Sequence, residues 1–143
     1  MRILLLGHKG MLGNDLFLRL SAEHELIGMD QEDIDIVSEN DCCQAIKDVS
    51  PDMVINAAAY TNVDGCETDR ETCFAVNAEA VKNIAGACRQ KKIRVLHFST
   101  DYVLTEPPEN RTGKMLCAIP SISTEHRNWP VRIICGRCRT ITF

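Results

Sequence analysis

No apolar run in the 143 residues approaches the roughly 20 that a membrane-crossing helix needs, so no helical span is expected. An excess of positive charge is also missing: 16 Lys and Arg stand against 20 Asp and Glu, for a formal net charge of −4. The cations are scattered rather than gathered on one predicted face, which argues against a nucleic-acid surface. No separate signal segment precedes the first apolar stretch, since Met1-Arg2 runs directly into Ile3-Leu4-Leu5-Leu6. These absences lead to the expectation of a cytoplasmic protein with neither a nucleic-acid nor a membrane partner.

A complete metal motif is lacking too. Cys135-Gly136-Arg137-Cys138 has CxxC spacing, but no second pair or His cluster follows it, and no metal ligand is assigned. Eight cysteines would suggest a disulfide scaffold in a small secreted chain. Here Cys42, Cys43, Cys73 and Cys88 fall in helical patterns of a cytosolic-looking sequence, which reads them as buried free thiols.

What is present is enough apolar content, 45%, for one hydrophobic core at this length, and too little chain for two domains. Residues 3–6 form an aliphatic run stopped by Gly7, a short buried strand. From Met11, apolar residues at 12, 16, 17 and 20 follow helical spacing. A second strand is predicted over 25–30 and a helix over 39–49, ended by Pro51. Met53-Val54-Ile55 is a third buried strand, running into Asn56-Ala57-Ala58-Ala59-Tyr60. A long helix then carries Cys73, Val76, Ala80, Ile84, Ala87 and Cys88 on one stripe, and residues 93–98 make a fourth strand. Strands alternating with helices predict an α/β fold, a doubly wound parallel sheet of Rossmann-like NAD(P)-binding type. After about Val103 no clean period appears for some 40 residues, and no element is assigned there.

Gly7-His8-Lys9-Gly10-Met11-Leu12-Gly13 has GxxGxxG spacing between a predicted strand and a predicted helix. Gly7 and Gly10 would let the backbone turn tightly toward a pyrophosphate at the helix N-terminus, and Gly13 would let helix and strand pack closely. Asp30 ends the second strand, 20 positions after Gly10, where a carboxylate accepts hydrogen bonds from ribose hydroxyls and repels a 2′-phosphate. That favours NADH and leaves NADPH open. The competing role for Asp30 is to cap a turn.

Gly7 to Gly13, then Pro51 to Asp64, then Val76-Asn77-Ala78-Glu79-Ala80, then Ser99-Thr100-Asp101-Tyr102-Val103 together resemble the dTDP-4-dehydrorhamnose reductases, extended short-chain dehydrogenases/reductases, from residue 1 to about 103. The resemblance implies NAD(P)H-dependent reduction of the C4 ketone of dTDP-4-dehydro-L-rhamnose, a nucleotide-sugar substrate, to dTDP-L-rhamnose. It implies that Gly10, Met11 and Leu12 touch the cofactor phosphates, Asp30 the ribose, and Asp35 and Ile36 the adenine side. Ala58, Ala59, Tyr60 and Thr61 would line the nicotinamide side, with Phe98 nearby. Thr100 and Asp101 would contact substrate, Thr100 as the catalytic hydrogen-bond donor to the ketone. Related reductases also admit Mg²⁺, and a homodimer is compatible with the full-length form. For Tyr60 and Tyr102 the competing role is packing beside the sheet, and for Asn77 a helix-to-loop hydrogen bond.

The family's proton donor is a Tyr with a Lys four residues later. This sequence has no Tyr after Tyr102 and only Lys114 as a later Lys, so that catalytic pair is absent. Reading each codon one base earlier forces Leu from Asn128-Trp129 and Ala from Trp129-Pro130, and permits Tyr-Gly-x-x-Lys just before them. The expected organisation is an N-terminal nucleotide-binding part over 1–103 and a frameshifted, disordered or marginally stable tail over 104–143, with the substrate domain absent and the chain inactive. The alternative is a non-catalytic NAD(P)-binding module or regulatory subunit of the same fold.

Overall fold

The computed structural model describes residues 1–99, 131–135 and 140–142. Six strands, β1 (Arg2–Leu6), β2 (Glu25–Met29), β3 (Met53–Asn56), β4 (Arg94–Ser99), β5 (Val131–Cys135) and β6 (Thr140–Thr142), form one sheet in the order β2-β1-β3-β4-β5-β6. The first five are parallel, and β6 runs antiparallel to β5. The order 2-1-3-4-5 reverses direction between β1 and β3, the doubly wound arrangement in which ligands bind beyond the carboxyl ends of those two strands.

Side-chain alternation along β1 builds both faces of the sheet. Leu4 and Leu6 point to one face, where they join Val54, Val95 and the buried residues Cys42 and Ile46 of α2 (Glu39–Val49) and Ile84, Ala87 and Cys88 of α5 (Ala80–Gln90). Ile3 and Leu5 point to the other, against Leu16, Phe17 and Leu20 of α1 (Met11–Leu20). Strands buried on both faces read as unbroken aliphatic runs, which is why residues 3–6 show no polar alternation.

Local signals set the helix ends. Ser38 caps α2 by accepting from the Asp41 amide, and Asn62 caps α3 (Val63–Thr68) by accepting from the Gly65 amide. The long helix expected after β3 is broken into α3, α4 (Arg70–Phe74), a π-helical turn (Ala75–Glu79) and α5. The break is local: Asp69 leaves the helical conformation and starts a new helix by accepting from the Thr72 amide.

Two findings correct the sequence reading. Cys73 is not a free thiol but is bonded to Cys66, whereas Cys42, Cys43 and Cys88 are free. The two cysteines stand seven positions apart on two different helices, α3 and α4, so a reading of one continuous helix does not bring them together. The sheet also extends past β4: Val131–Cys135 pairs along it from Val95↔Val131 to Ser99↔Cys135. The unpaired edge of β4 supplies hydrogen-bonding groups, and a segment rich in β-branched residues fits them without any period visible in isolation.

Candidate cofactor site

The carboxyl ends of β1, β2 and β3 are tied together by main-chain hydrogen bonds. Gly7 N donates to Met29 O at 2.9 Å and Ala57 N to Leu6 O at 2.9 Å. Gly7 takes a left-handed φ of +77°, and a Cβ there would lie 2.7 Å from Ala58 N. The glycine turn is thus seated on the loop after β3, which joins the predicted phosphate-side and nicotinamide-side segments at the switch point. A Cβ on Gly13 would collide with the Gly7 carbonyl, so the third glycine is what lets α1 start close beneath the turn.

Gly10 is the N-cap of α1 and supplies no side chain to its first turn, and that turn carries no acidic residue. Gly10, Met11 and Leu12 are all exposed, Met11 to 90%. An amide-lined helix start left open in this way suits an anionic group.

Asp30 sits directly after β2 and fills the turn-capping role. Its Oδ1 accepts from Gln31 N at 2.9 Å, the turn-capping bond, and its Oδ2 accepts from Lys9 N at 3.0 Å, which ties it to the glycine turn. Burial alone would raise its carboxyl, but the amides of Gln31 and Lys9, aided by the charges of His8 and Lys9, outweigh that and hold it below its ordinary value. Asp30 is therefore a fixed carboxylate at neutral pH. Beyond it, Lys9 Nζ pairs with Glu32 at 2.9 Å.

The other predicted residues are distributed unevenly. Asp35 is exposed and accepts from Val37 N, turning the chain into α2. Ile36 packs against the core, and its carbonyl accepts from Cys42 Sγ. Phe98 packs on the α1 face beside Ile3, Leu5 and Ile55. Ala58 is half-buried and Ala59 and Thr61 exposed. Tyr60 is held by Asn77: its N–H donates to Asn77 Oδ1 at 2.8 Å, and its carbonyl accepts from Asn77 Nδ2 at 3.0 Å. The Tyr60 hydroxyl lies over Gly65 of α3, where a side chain would strike it. Asn77 itself stands in the π-helical turn, which re-aims it toward the loop. Thr100, Asp101 and Tyr102 lie outside the described residues.

Sequence reasoning missed three supporting residues. Asn56, at the end of β3, accepts from Ala58 N at 3.0 Å and lies 3.2 Å from His97 Nδ1, with both side chains buried. Because Asn56 Oδ1 is the acceptor for Ala58, its Nδ2 donates to His97, whose Nδ1 therefore carries no proton. Burial pushes His97 down to about 4, against the opposing effect of the Asn56 backbone carbonyl as a hydrogen-bond acceptor. Gly28 in β2 lies under the His8 ring, and a Cβ there would meet His8 Cγ at 2.6 Å. A glycine inside a strand signals such a close approach. Among the described residues no cluster of His, Cys, Asp or Glu could hold a metal ion, and no helix is long and apolar enough to cross a membrane.

The profile of the family described as "RmlD substrate binding domain" matches residues 1–110. The chain belongs to this family. The dTDP-4-dehydrorhamnose reductase of Burkholderia thailandensis is 35% identical over 103 residues, which is 72% of this chain and 35% of that protein. Among solved structures, a dTDP-4-dehydrorhamnose reductase from Clostridium acetobutylicum superposes with a TM-score of 0.70 at 34% identity, covering 75% of this chain and 40% of that one. The dTDP-4-dehydrorhamnose reductase of Bacillus anthracis in complex with NADP gives 0.69 at 31% identity, covering 72% and 37%. The chain thus spans about a third of the length of the curated relatives it matches. The resemblance seen in its motifs and the Rossmann-like fold are both established by these matches. The relatives named here are dTDP-4-dehydrorhamnose reductases.

Proposed function

We propose that this RmlD-family chain carries the cofactor-binding part of an NAD(P)H-dependent reductase acting on the C4 ketone of dTDP-4-dehydro-L-rhamnose. The observation that carries the reading is the seating of Gly7 on Ala58, with Asp30 fixed to the Lys9 amide beside it. That arrangement brings three separate motifs together at the switch point. Amides at Gly10, Met11 and Leu12 would receive the pyrophosphate, Asp30 the adenosine ribose, Asp35 and Ile36 the adenine side, and Ala58, Ala59, Tyr60 and Thr61 the nicotinamide side, with Phe98 behind. When bound, the reduced nicotinamide supplies the hydride. Thr100 would hydrogen-bond the ketone oxygen, and Asp101 would hold the sugar.

A ketone that accepts a hydride also needs a proton, and this chain offers no Tyr-x-x-x-Lys pair to deliver it. We therefore propose that the 143 residues bind dinucleotide without turnover, and that residues from about 104 onward are read in a shifted frame. The forced Leu and Ala, preceded by a permitted Tyr-Gly-x-x-Lys, support that reading. The missing pair also favours a second reading, a non-catalytic NAD(P)-binding module or regulatory subunit.

Titration of the purified chain with NADH and NADPH, followed by nicotinamide fluorescence, tests the first proposal. Saturable binding with no oxidation of the dinucleotide in the presence of dTDP-4-dehydro-L-rhamnose is expected. Absence of binding by either dinucleotide would sink it. The second is decided by genomic DNA across codons 100–143: one added or removed base should restore Tyr-Gly-x-x-Lys and an open frame. An intact frame, together with a stable complex between this chain and a partner protein, would favour the regulatory module.

A further inference from the structure

Glu32 has no role in the site described so far, yet it forms the Lys9 salt bridge at the rim of that site. Lys9 is bound at both ends: its amide donates to Asp30 Oδ2 at 3.0 Å, and its Nζ donates to Glu32 Oε2 at 2.9 Å. Asp33 closes the group by accepting from the Asp30 amide at 2.9 Å. Three carboxylates therefore gather at the carboxyl end of β2 against a single ammonium, at the position where the sugar of an adenosine would lie.

We propose that the Lys9–Glu32 ion pair determines which nicotinamide dinucleotide this chain accepts, Glu32 holding Lys9 away from a 2′-phosphate and so favouring the 2′-hydroxyl form. The inference rests on the cofactor reading above and adds to it a residue that sets specificity.

A ribose diol is neutral and needs only an acceptor, which Asp30 supplies. A 2′-phosphate brings up to about two negative charges and three acceptor oxygens, and needs a cation to meet them. Lys9 is the cation tied into this turn, and Glu32 both occupies it and adds repulsion. The two side chains are 55% and 68% exposed, so the pair is open to solvent and a competing phosphate could displace it. Asp30 differs in kind. Two backbone amides fix its carboxylate, so it stays in place when Glu32 is changed.

The test compares dissociation constants for NADH and NADPH at low ionic strength in the natural chain, in Glu32→Gln, and in the double variant Glu32→Gln with Lys9→Met. The natural chain should bind NADH more tightly. Glu32→Gln should move the ratio of the two affinities toward NADPH by about tenfold, the effect of removing one nearby like charge and freeing one opposite charge. Adding Lys9→Met should cancel that gain. A ratio unchanged by Glu32→Gln, or a gain that survives Lys9→Met, would overturn the inference while leaving the cofactor reading intact. Failure of the natural chain to bind either dinucleotide would overturn both. Glu32 is exposed, and unchanged circular dichroism of Glu32→Gln ties any shift in ratio to the site rather than to unfolding.

Discussion

Asn77 grips the Tyr60 backbone with both ends of its amide, accepting from the N–H at 2.8 Å and donating to the carbonyl at 3.0 Å. A side chain on the π-helical turn thereby replaces the neighbouring strand that the loop after β3 lacks. Asn77→Ala should strand two half-buried main-chain groups and cost about 1–3 kcal/mol in urea unfolding. Dinucleotide affinity should fall with it, because Tyr60 and its neighbours lose their anchor. Asn77→Asp, which keeps the acceptor and loses the donor, should fall between. Equal affinities in all three proteins would show that the loop is held by other means.

Gly13 and Gly86 make an opposed pair. A Cβ on Gly13 meets the backbone of Gly7 and His8, which cannot move without undoing the turn, whereas one on Gly86 meets nothing within 4 Å. Gly13→Ala should therefore destabilise the chain by more than about 3 kcal/mol or prevent folding. Gly86→Ala, within α5, should raise stability by about 0.5–1 kcal/mol through helix propensity alone. Thermal melts of the two variants check both signs.

His97 predicts a pH dependence. Its native value is depressed to about 4, below the ordinary 6.5, so the unfolded chain takes up the proton first. Its contribution is fully present above about pH 6.5 and is lost as pH falls toward about 4, by an amount on the order of 3 kcal/mol. His97→Gln should flatten that part of the stability profile measured by urea unfolding between pH 4 and pH 7. A profile of unchanged slope would mean that another group is responsible.

The cysteines should separate by chemistry. Burial, the largest cause, pushes the Cys42 and Cys88 thiols up to about 12, so at pH 8 neither supplies much thiolate. Alkylation of the native chain, mapped by peptide mass spectrometry, should leave both unlabelled until denaturant is added. Cys66 and Cys73 should label only after a thiol reductant. Cys66→Ser should lower stability by about 2 kcal/mol, the scale for closing a short loop. Labelling of Cys73 without reductant would contradict the bond.

Much of the site was legible because it is written locally. An aliphatic run, a glycine cluster and a helical period mark β1, the turn and α1 using only residues adjacent in the chain. Asp30 could be found by counting along the sequence. The Asn77 hydrogen bond to the loop was named as one of its two roles, and the structure places it there. Asn56 with His97, 41 residues apart, carried no such mark, since a lone Asn or His in a strand gives no sign of what stands opposite it.

By itself, then, the sequence determined the α/β alternation and the glycine turn, because strand and helix periods and glycine's backbone freedom act between near neighbours in the chain. Only the tertiary structure decided that Gly7 rests on Ala58, that Lys9 divides itself between Asp30 and Glu32, that Asn56 meets His97, and that Val131–Cys135 completes the edge of β4. Those contacts depend on strand order and register, which bring distant segments side by side, and no spacing along the chain encodes that distance.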